Sequence, residues 1–516
     1  MNRIALIGSS PALNMVCSAL VRSFTPGCLA GPEQAASASV VVAISPGDEH
    51  ASRLEQAFEG GGKVLVFGAP GPACASVLGL RFEDALPVTA SEAEAPNAVG
   101  PCSGQSMACI QYLPGHTLGE ASPYTLRPFL RFDFTNEWNN MGYGRVRADG
   151  EIWAISGRSE PAGAVALAEI VVDGDCRGLY AAVADNAKGA ALWFNRPVGP
   201  LDSLEWAVVE RFLCDYRSEE LSCLPLLTEL PYGVRALATM RLDCDEDIAS
   251  AQGLFEWYAD QGLPLSLAVK TSLDVTPMDM HLLDDVLNAG GSILSHSHNH
   301  LENWGRDYDG ALADARASRA WFEAHFPRAC PVRYAVSPFH TNRPWSLRAL
   351  ADAGFEGVIS GIVHNDPDML VARPGIMPEV KRDIISHSQQ CMLHGDSHDD
   401  ALDGPSVPSQ SFDAYAKAGA IFGYLDHPFS PRYDYGWGSE ERRLTAHREL
   451  VEHISGHEGV LWLSAGDCLA YCVLRSRAVL TMDPDGAIDL AGYSNHTGLQ
   501  PGVRVRGHDV PIGELA

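Results

Sequence analysis

Apolar and polar positions along this chain follow two repeating rhythms. Short apolar runs at 3–7, 39–44 and 63–67 predict strands, and the amphipathic stretches 11–24 and 51–60 predict helices. Alternation of that kind over residues 1 to about 95 predicts a doubly wound, mostly parallel α/β domain. From about 96 to 200 the pattern turns β-rich. Strands are expected at 107–113, 150–156, 166–172, 179–183 and 190–195, and an amphipathic helix at 201–216. The first domain is therefore expected to span 1–225, an open α/β body with a β-rich extension.

Strand and helix alternate again from 233 to 474. Helices are expected at 252–260, 278–289, 312–326, 344–354 and 439–455. Strands are expected at 234–242, 263–270, 292–294, 333–337, 356–360, 420–425 and 460–464. Roughly seven such units predict a barrel-like (β/α) domain whose chemistry sits at the carboxyl ends of its strands. The tail, 475–516, reads as a small β appendage, with a strand at 479–482, a turn at 483–486 and a strand at 503–510.

Composition narrows the classes of partner. The 516 residues are 46% hydrophobic and 20% charged, and the net charge is -28. That balance argues against nucleic acid and against an anionic membrane surface, and favours a neutral or cationic substrate. No apolar run is long enough to span a bilayer. The start, Met1 to Gly8, has a single basic residue before a short apolar run and reads as a first strand rather than a signal peptide. The 13 cysteines are odd in number, scattered and mostly in apolar contexts, which suits reduced thiols. A soluble cytoplasmic protein is expected, with a homo-oligomer left open.

The chemistry concentrates in two stretches. Met240-Arg241-Leu242-Asp243-Cys244-Asp245-Glu246-Asp247 ends an apolar lead-in with acids at alternate positions. Ser295-His296-Ser297-His298-Asn299-His300 follows a Gly290-Gly291 break and a short strand. Carboxylates with a His-x-x-x-His pair suit Zn²⁺ or a similar divalent ion, and three protein ligands leave one coordination position open. His298, between the pair, reads as a neighbour rather than a ligand. Asp247 reads as the cap of the following helix.

These stretches, with Val336-Ser337-Pro338-Phe339 and Leu425-Asp426-His427 further on, resemble the polysaccharide deacetylases with a NodB-homology domain. The likeness covers about 233 to 474, and it implies a distorted (β/α) barrel that carries out metal-dependent N- or O-deacetylation. It further implies that Asp245, His296 and His300 hold the metal, Zn²⁺ first with Co²⁺, Ni²⁺ or Mn²⁺ as alternatives. Asp243 would be the general base and His427 the general acid. Leu425 would line the acyl pocket, with Pro338, Phe339 and Trp437 as substrate contacts. The implied substrate is an N-acetylated or similarly acylated amino sugar or glycoconjugate precursor. Alternatives are a non-sugar amide or formyl group, or a carbohydrate-binding protein with a decayed site.

The sequence departs from the family pattern in three places. Its acids are spaced Asp-x-Asp rather than adjacent, so base and ligand could exchange, and Asp247 could compete for either role. Val336 stands where the family has Arg, which leaves Arg241 or Arg382 to orient the base. The residue that steadies the acid histidine is open among Asp426, Asp383 and Asp366. His394 and His398 read as loop residues that could reach the cleft rim. In the first domain, Gly100-Pro101-Cys102-Ser103-Gly104 matches the nucleophile elbow of the glutamine amidotransferases, whose α/β alternation is similar. No strand leads into it and no His-x-Glu partner follows, so this domain is expected to be amidotransferase-like in shape and non-catalytic.

Overall fold

The computed structural model describes residues 2–8, 11–93, 108–129, 144–327, 331–360, 372–376, 384–388, 391–395, 406–430, 432–483 and 485–515. The 100–104 motif, Asp366, Arg382, Asp383 and His398 lie outside the described residues.

The first sheet has eight strands. In spatial order they are Ile4–Ile7, Val40–Ile44, Lys63–Phe67, Ala190–Phe194, Asp175–Asp185, Val165–Val172, Ala108–Tyr112 and Leu126–Pro128. The first four are parallel, and every later pairing is antiparallel. Side chains alternate between two separate cores. Val40, Val42, Ile44, Leu65 and Phe67 enter one, while Val41, Ala43, Val64 and Val66 enter the other. A sheet covered on both faces needs apolar residues at every position, which is why these strands read as continuous apolar runs.

Two expectations fail in this part. The stretch 150–156 is turn rather than strand, apart from one isolated bridge between Arg147 and Ala154. Gly150 has φ +80° and the Glu151 N–H donates to Asp149 Oδ1, so a tight turn forms before the apolar residues can pair. The helix expected at 201–216 is Trp206–Cys214. Its would-be first turn is drawn aside because Asp202 and Glu205 pair with the fully buried Arg127 and Arg196.

The second sheet has ten strands. Nine run in the order Gly375–Ile376, Ile385–Ser388, Gly357–Ser360, Tyr334–Val336, Ser292–Ser295, Ser266–Val269, Ala236–Cys244, Ile421–Asp426 and Cys391–Met392. Only the Gly375–Ile376 pairing is antiparallel. Ala236–Cys244 is its organising strand. One edge pairs with Ile421–Asp426. The other is shared between Val460–Leu463, along its first half, and Ser266–Val269, along its last residues. The expected barrel is not closed among the described residues: no ladder joins the Gly375–Ile376 end to Cys391–Met392. The architecture is thus a mixed α/β chain in which the second sheet is largely parallel and the first is parallel over its first four strands.

Along Ala236–Cys244, residues 236, 238, 240, 242 and 244 pack outward into one core, while Leu237 belongs to a second, inner one. Arg241 and Asp243 share the alternating face with Leu237. The inner core is completed by the helix Ala465–Ser476 through Leu469, Tyr471 and Cys472. That helix and Val407–Lys417 were not anticipated. The others fall within a few residues of expectation, among them Pro277–Asn288, whose Thr276 and Asp279 form a reciprocal capping box. At Gly291 any Cβ would lie 2.1 Å from the Leu265 carbonyl oxygen, so only glycine lets the chain enter the next strand there.

The tail forms two hairpins, Val479–Met482 with Ile488–Ala491 and Pro501–Val505 with His508–Pro511. The single strand expected at 503–510 is folded in half at Arg506-Gly507, both with positive φ. Pro501–Val505 also pairs with Leu226–Pro231, the segment between the two large sheets. The described cysteines are all free, and no described helix is long and apolar enough to cross a membrane.

A buried charge cluster ties the two sheets together. Arg373 donates to Glu210 of the first unit through Nε (2.9 Å) and to Glu229 of the connecting strand through Nη1 (2.9 Å). Glu229 in turn accepts from the Ile421 N–H at 2.7 Å. Arg373→Met would leave two buried carboxylates without their cation, and a loss of about 3–5 kcal/mol is expected. The urea midpoint of the full chain should fall accordingly; an unchanged midpoint would show the cluster to be energetically idle.

On the inner face, His387 is buried, and its Nε2 has no hydrogen-bond partner among the described residues. Burial, with Arg241 adding to it, pushes its pKa down to about 4. The unfolded chain takes up this proton near pH 6.5 and the folded one does not, so stability is full above that pH. It should be lost between pH ~6.5 and ~4, by up to roughly 3 kcal/mol. His387→Leu should flatten the pH dependence of the urea midpoint in that window, and an equally steep slope in the variant would refute the assignment.

Candidate active site

Asp243 leaves the strand Ala236–Cys244 on its inner face, two residues after Arg241. Arg241 Nε donates to Asp243 Oδ1 at 2.8 Å and its Nη2 to Oδ2 at 3.2 Å, a bidentate pair with both side chains buried. Burial alone would raise the Asp243 carboxyl, but Arg241 and then His296 outweigh it and hold it below the ordinary carboxylate range. Asp245 lies just past the strand end, where its N–H returns to the Asp243 carbonyl at 3.2 Å. The adjacent His296 and His427 overcome its burial and hold its carboxyl well below the usual range.

The two histidines come from the turn after Ser292–Ser295. Ser297 and His300 both have positive φ, a strained state for residues with a Cβ. It is held from outside. Asp314, buried on the helix Tyr308–His325, accepts from the backbone N–H groups of His298 and Asn299, both at 2.9 Å. The His300 N–H donates to Ser297 Oγ at 2.8 Å. His296 Nδ1 lies 3.2 Å from the Val336 carbonyl oxygen, which holds that proton and leaves Nε2 a bare lone pair. Burial pushes His300 down to about 4. His298 turns elsewhere, its Nδ1 3.0 Å from Thr271 Oγ1.

These constraints bring three ligand atoms to one point. His296 Nε2 lies 3.1 Å from His300 Nε2 and 3.2 Å from Asp245 Oδ1, and His300 Nε2 lies 3.4 Å from that same oxygen. Two atoms bonded to one tetrahedral ion at about 2.0–2.1 Å lie roughly 3.3 Å apart, so the triangle has the size such an ion requires. Asp245 Oδ1 is buried and accepts no hydrogen bond among the described residues. The His296 imidazole, despite its burial, is raised by Asp243 and Asp245. The residues present fit a divalent ion.

A cavity of about 420 Å³ opens over this triangle. His427, after the strand Ile421–Asp426, places Nε2 3.5 Å from Asp245 Oδ2, and its ring stacks on Tyr435 at 3.9 Å. Phe339, 55% exposed, lies against His300 with ring centroids 4.7 Å apart. Tyr433, Met392, His394 and His340 complete much of the wall. His340 was missed by sequence reasoning; burial pushes it down to about 3, so it is a neutral imidazole facing the site. Its only signal was its place directly after Pro338-Phe339. His394, read as a loop residue, also lines the cavity.

Several expected contacts do not reach it. Trp437 is buried, and its Nε1 donates to Asp426 Oδ1 at 3.2 Å, while Tyr433 and Tyr435 line the cavity instead. Leu425 is fully buried within its ladder, where its register partner Met392 faces the cavity instead. Pro338 is buried and starts the turn that presents Ser337, Phe339 and His340. Asp426 does not steady the His427 ring. Its oxygens accept from the His427 backbone N–H (2.7 Å) and from Arg443, and His447 Nε2 lies 2.9 Å away. Asp247 is absent from the wall and caps the next turn by accepting from the Ser250 N–H at 2.7 Å.

Neither a protein-family model nor a curated protein sequence matches the chain. Among solved structures it is similar to a probable polysaccharide deacetylase from Pseudomonas aeruginosa PAO1, with 12% identity over 47% of this chain and 93% of that one and a TM-score of 0.36. It is also similar to the family 4 carbohydrate esterase from Streptomyces lividans in complex with acetate, with 10% identity over 44% and 92% of the two chains and a TM-score of 0.29. A third is the family 4 acetyl xylan esterase from Clostridium thermocellum in complex with cobalt, with 11% identity, 45% and 90% coverage and a TM-score of 0.29. Each likeness spans just under half of this chain and about nine-tenths of the other.

Proposed function

We propose that the chain is a metal-dependent hydrolase that removes an acetyl or similar small acyl group from the nitrogen of an amino sugar or a glycoconjugate precursor. The observation that carries this reading is the triangle of Asp245, His296 and His300 with a clamped carboxylate and an imidazole beside it in one cavity. A divalent ion held by those three residues would polarise the acyl carbonyl and acidify water.

Asp243 takes the proton from the attacking water at its carboxylate. Arg241 fixes both of its oxygens, so the base does not need to reorganise as the proton moves. His427 gives a proton to the leaving nitrogen, and its stacking on Tyr435 sets the plane of the ring. An imidazole suits that exchange because its ring nitrogen can both give and take a proton. The volume lies at the lower end of the range for small-molecule sites, about 300–1,000 Å³. The aromatic rim of Phe339, Tyr433 and Tyr435 offers faces for a sugar ring. The net charge of -28 favours a neutral substrate over a polyanion. Arg241 supplies the cation whose absence at position 336 raised the decayed-site alternative.

The test is acetate release from soluble N-acetylated amino sugars by Zn²⁺- or Co²⁺-loaded protein. Asp243→Asn and His427→Gln should each lower kcat/KM on the order of 10²–10⁴-fold while metal content stays at the wild-type level. Release that persists unchanged in Asp243→Asn would sink the reading. Arg241→Met should cut kcat more than KM, again with the metal retained, because it frees the base without touching a ligand. Loss of metal in Arg241→Met would instead make Arg241 part of the ligand scaffold.

A further inference from the structure

A second group of metal-ligating side chains lies on the outside of the same unit, between the helices Val407–Lys417 and Glu440–Ser455. Asp413, His453 and His457 each offer one ligand atom, and the three atoms lie within 4.8 Å of one another. His453 Nε2 is 2.8 Å and His457 Nε2 is 3.2 Å from the same oxygen, Asp413 Oδ1. The rings are also propped from behind: Phe412 makes edge contacts with His457 at 5.0 Å and with His453 at 6.2 Å between centroids. One carboxylate oxygen and two imidazole nitrogens, presented by two packed helices and the turn after the second and partly open to water, make the donor set that borderline divalent ions prefer.

We infer that Asp413, His453 and His457 form a second site for a divalent transition ion such as Zn²⁺, Ni²⁺ or Cu²⁺. Three protein ligands and water would complete its coordination. Its place suggests a bracing role. Val407–Lys417 leads into the strand Ile421–Asp426, and Glu440–Ser455 follows the loop that carries His427, Tyr433 and Tyr435. An ion shared between Val407–Lys417 and the end of Glu440–Ser455 would fix their separation beside Phe412 and Phe422, near the start of the strand Ile421–Asp426. The competing account is an Asp–His hydrogen-bonded cluster that binds nothing.

The experiment uses the full chain without a polyhistidine tag, dialysed against Zn²⁺ and analysed for bound metal. With His296→Ala and His300→Ala silencing the first triad, about one ion per chain should remain, and adding His453→Ala and His457→Ala should bring the count to about zero. Circular dichroism checks that the fold is retained. Should the His296→Ala/His300→Ala chain fail to fold, the same readout applies in the wild-type background, where His453→Ala/His457→Ala should remove about one ion per chain. Asp413→Asn, which keeps the shape and removes the charge, should raise the dissociation constant for Zn²⁺. Failure of the folded first-triad variant to retain an ion, or a count that His453→Ala/His457→Ala leaves unchanged, overturns the second site. Either result leaves the reading of the first site untouched, because neither depends on turnover.

Discussion

Two carboxylates at the end of one buried strand set the terms for everything around them. Asp243 is 1% exposed, and an uncompensated charge at that depth would cost several kcal/mol. The chain answers with Arg241, placed at i−2 so that strand alternation puts guanidinium and carboxylate side by side on the inner face. Asp245 is met differently, by imidazoles, and its Oδ1 accepts no hydrogen bond among the described residues. The strained turn at 297–300, the Asp314 carboxylate that holds it and the Val336 carbonyl that fixes the His296 tautomer all serve to bring nitrogen to that oxygen.

Much of this was legible in the sequence. A largely apolar strand that ends in acids at alternate positions reads as a central strand delivering side chains to a cleft. Alternate spacing of the acids told that Asp243 and Asp245 leave the chain in related directions, though not which of them meets the histidines. That is decided by the backbone turning after Cys244, where the Asp245 N–H closes on the Asp243 carbonyl. The cation was legible in principle as well. An arginine inside an otherwise apolar strand must have a buried partner, and the nearest acid on its own face is two residues away.

What could not be read was the direction of side chains in loops. The segment after His427 holds four large rings, Phe429, Tyr433, Tyr435 and Trp437, and nothing local says which of them faces the cavity. The decision is made by Asp426, a buried carboxylate in need of donors that a sequence-distant Arg443 and the Trp437 indole supply. Satisfying that acid turns Trp437 inward and leaves Tyr433 and Tyr435 for the wall. The same logic shortens the helix near 201, where Arg127 and Arg196 capture Asp202 and Glu205 before a helical turn can form. Long-range ion pairs overrule local periodicity in both cases, and neither leaves a mark on the neighbouring sequence.

These pairings also shape the field outside the molecule. The chain has 37 lysines and arginines against 65 aspartates and glutamates. Arg127, Arg196, Arg241, Arg373 and Arg443 are spent inside, each against a carboxylate that is buried with it. Because such pairs cancel internally, the excess of acids is left on the surface, where it acts over a Debye length of about 8–10 Å. A surface of that sign concentrates divalent cations near the protein and repels polyanions. The burial of arginine that makes the fold work therefore also leaves a surface that draws cations, turns away polyanions and sets no electrostatic barrier to neutral molecules.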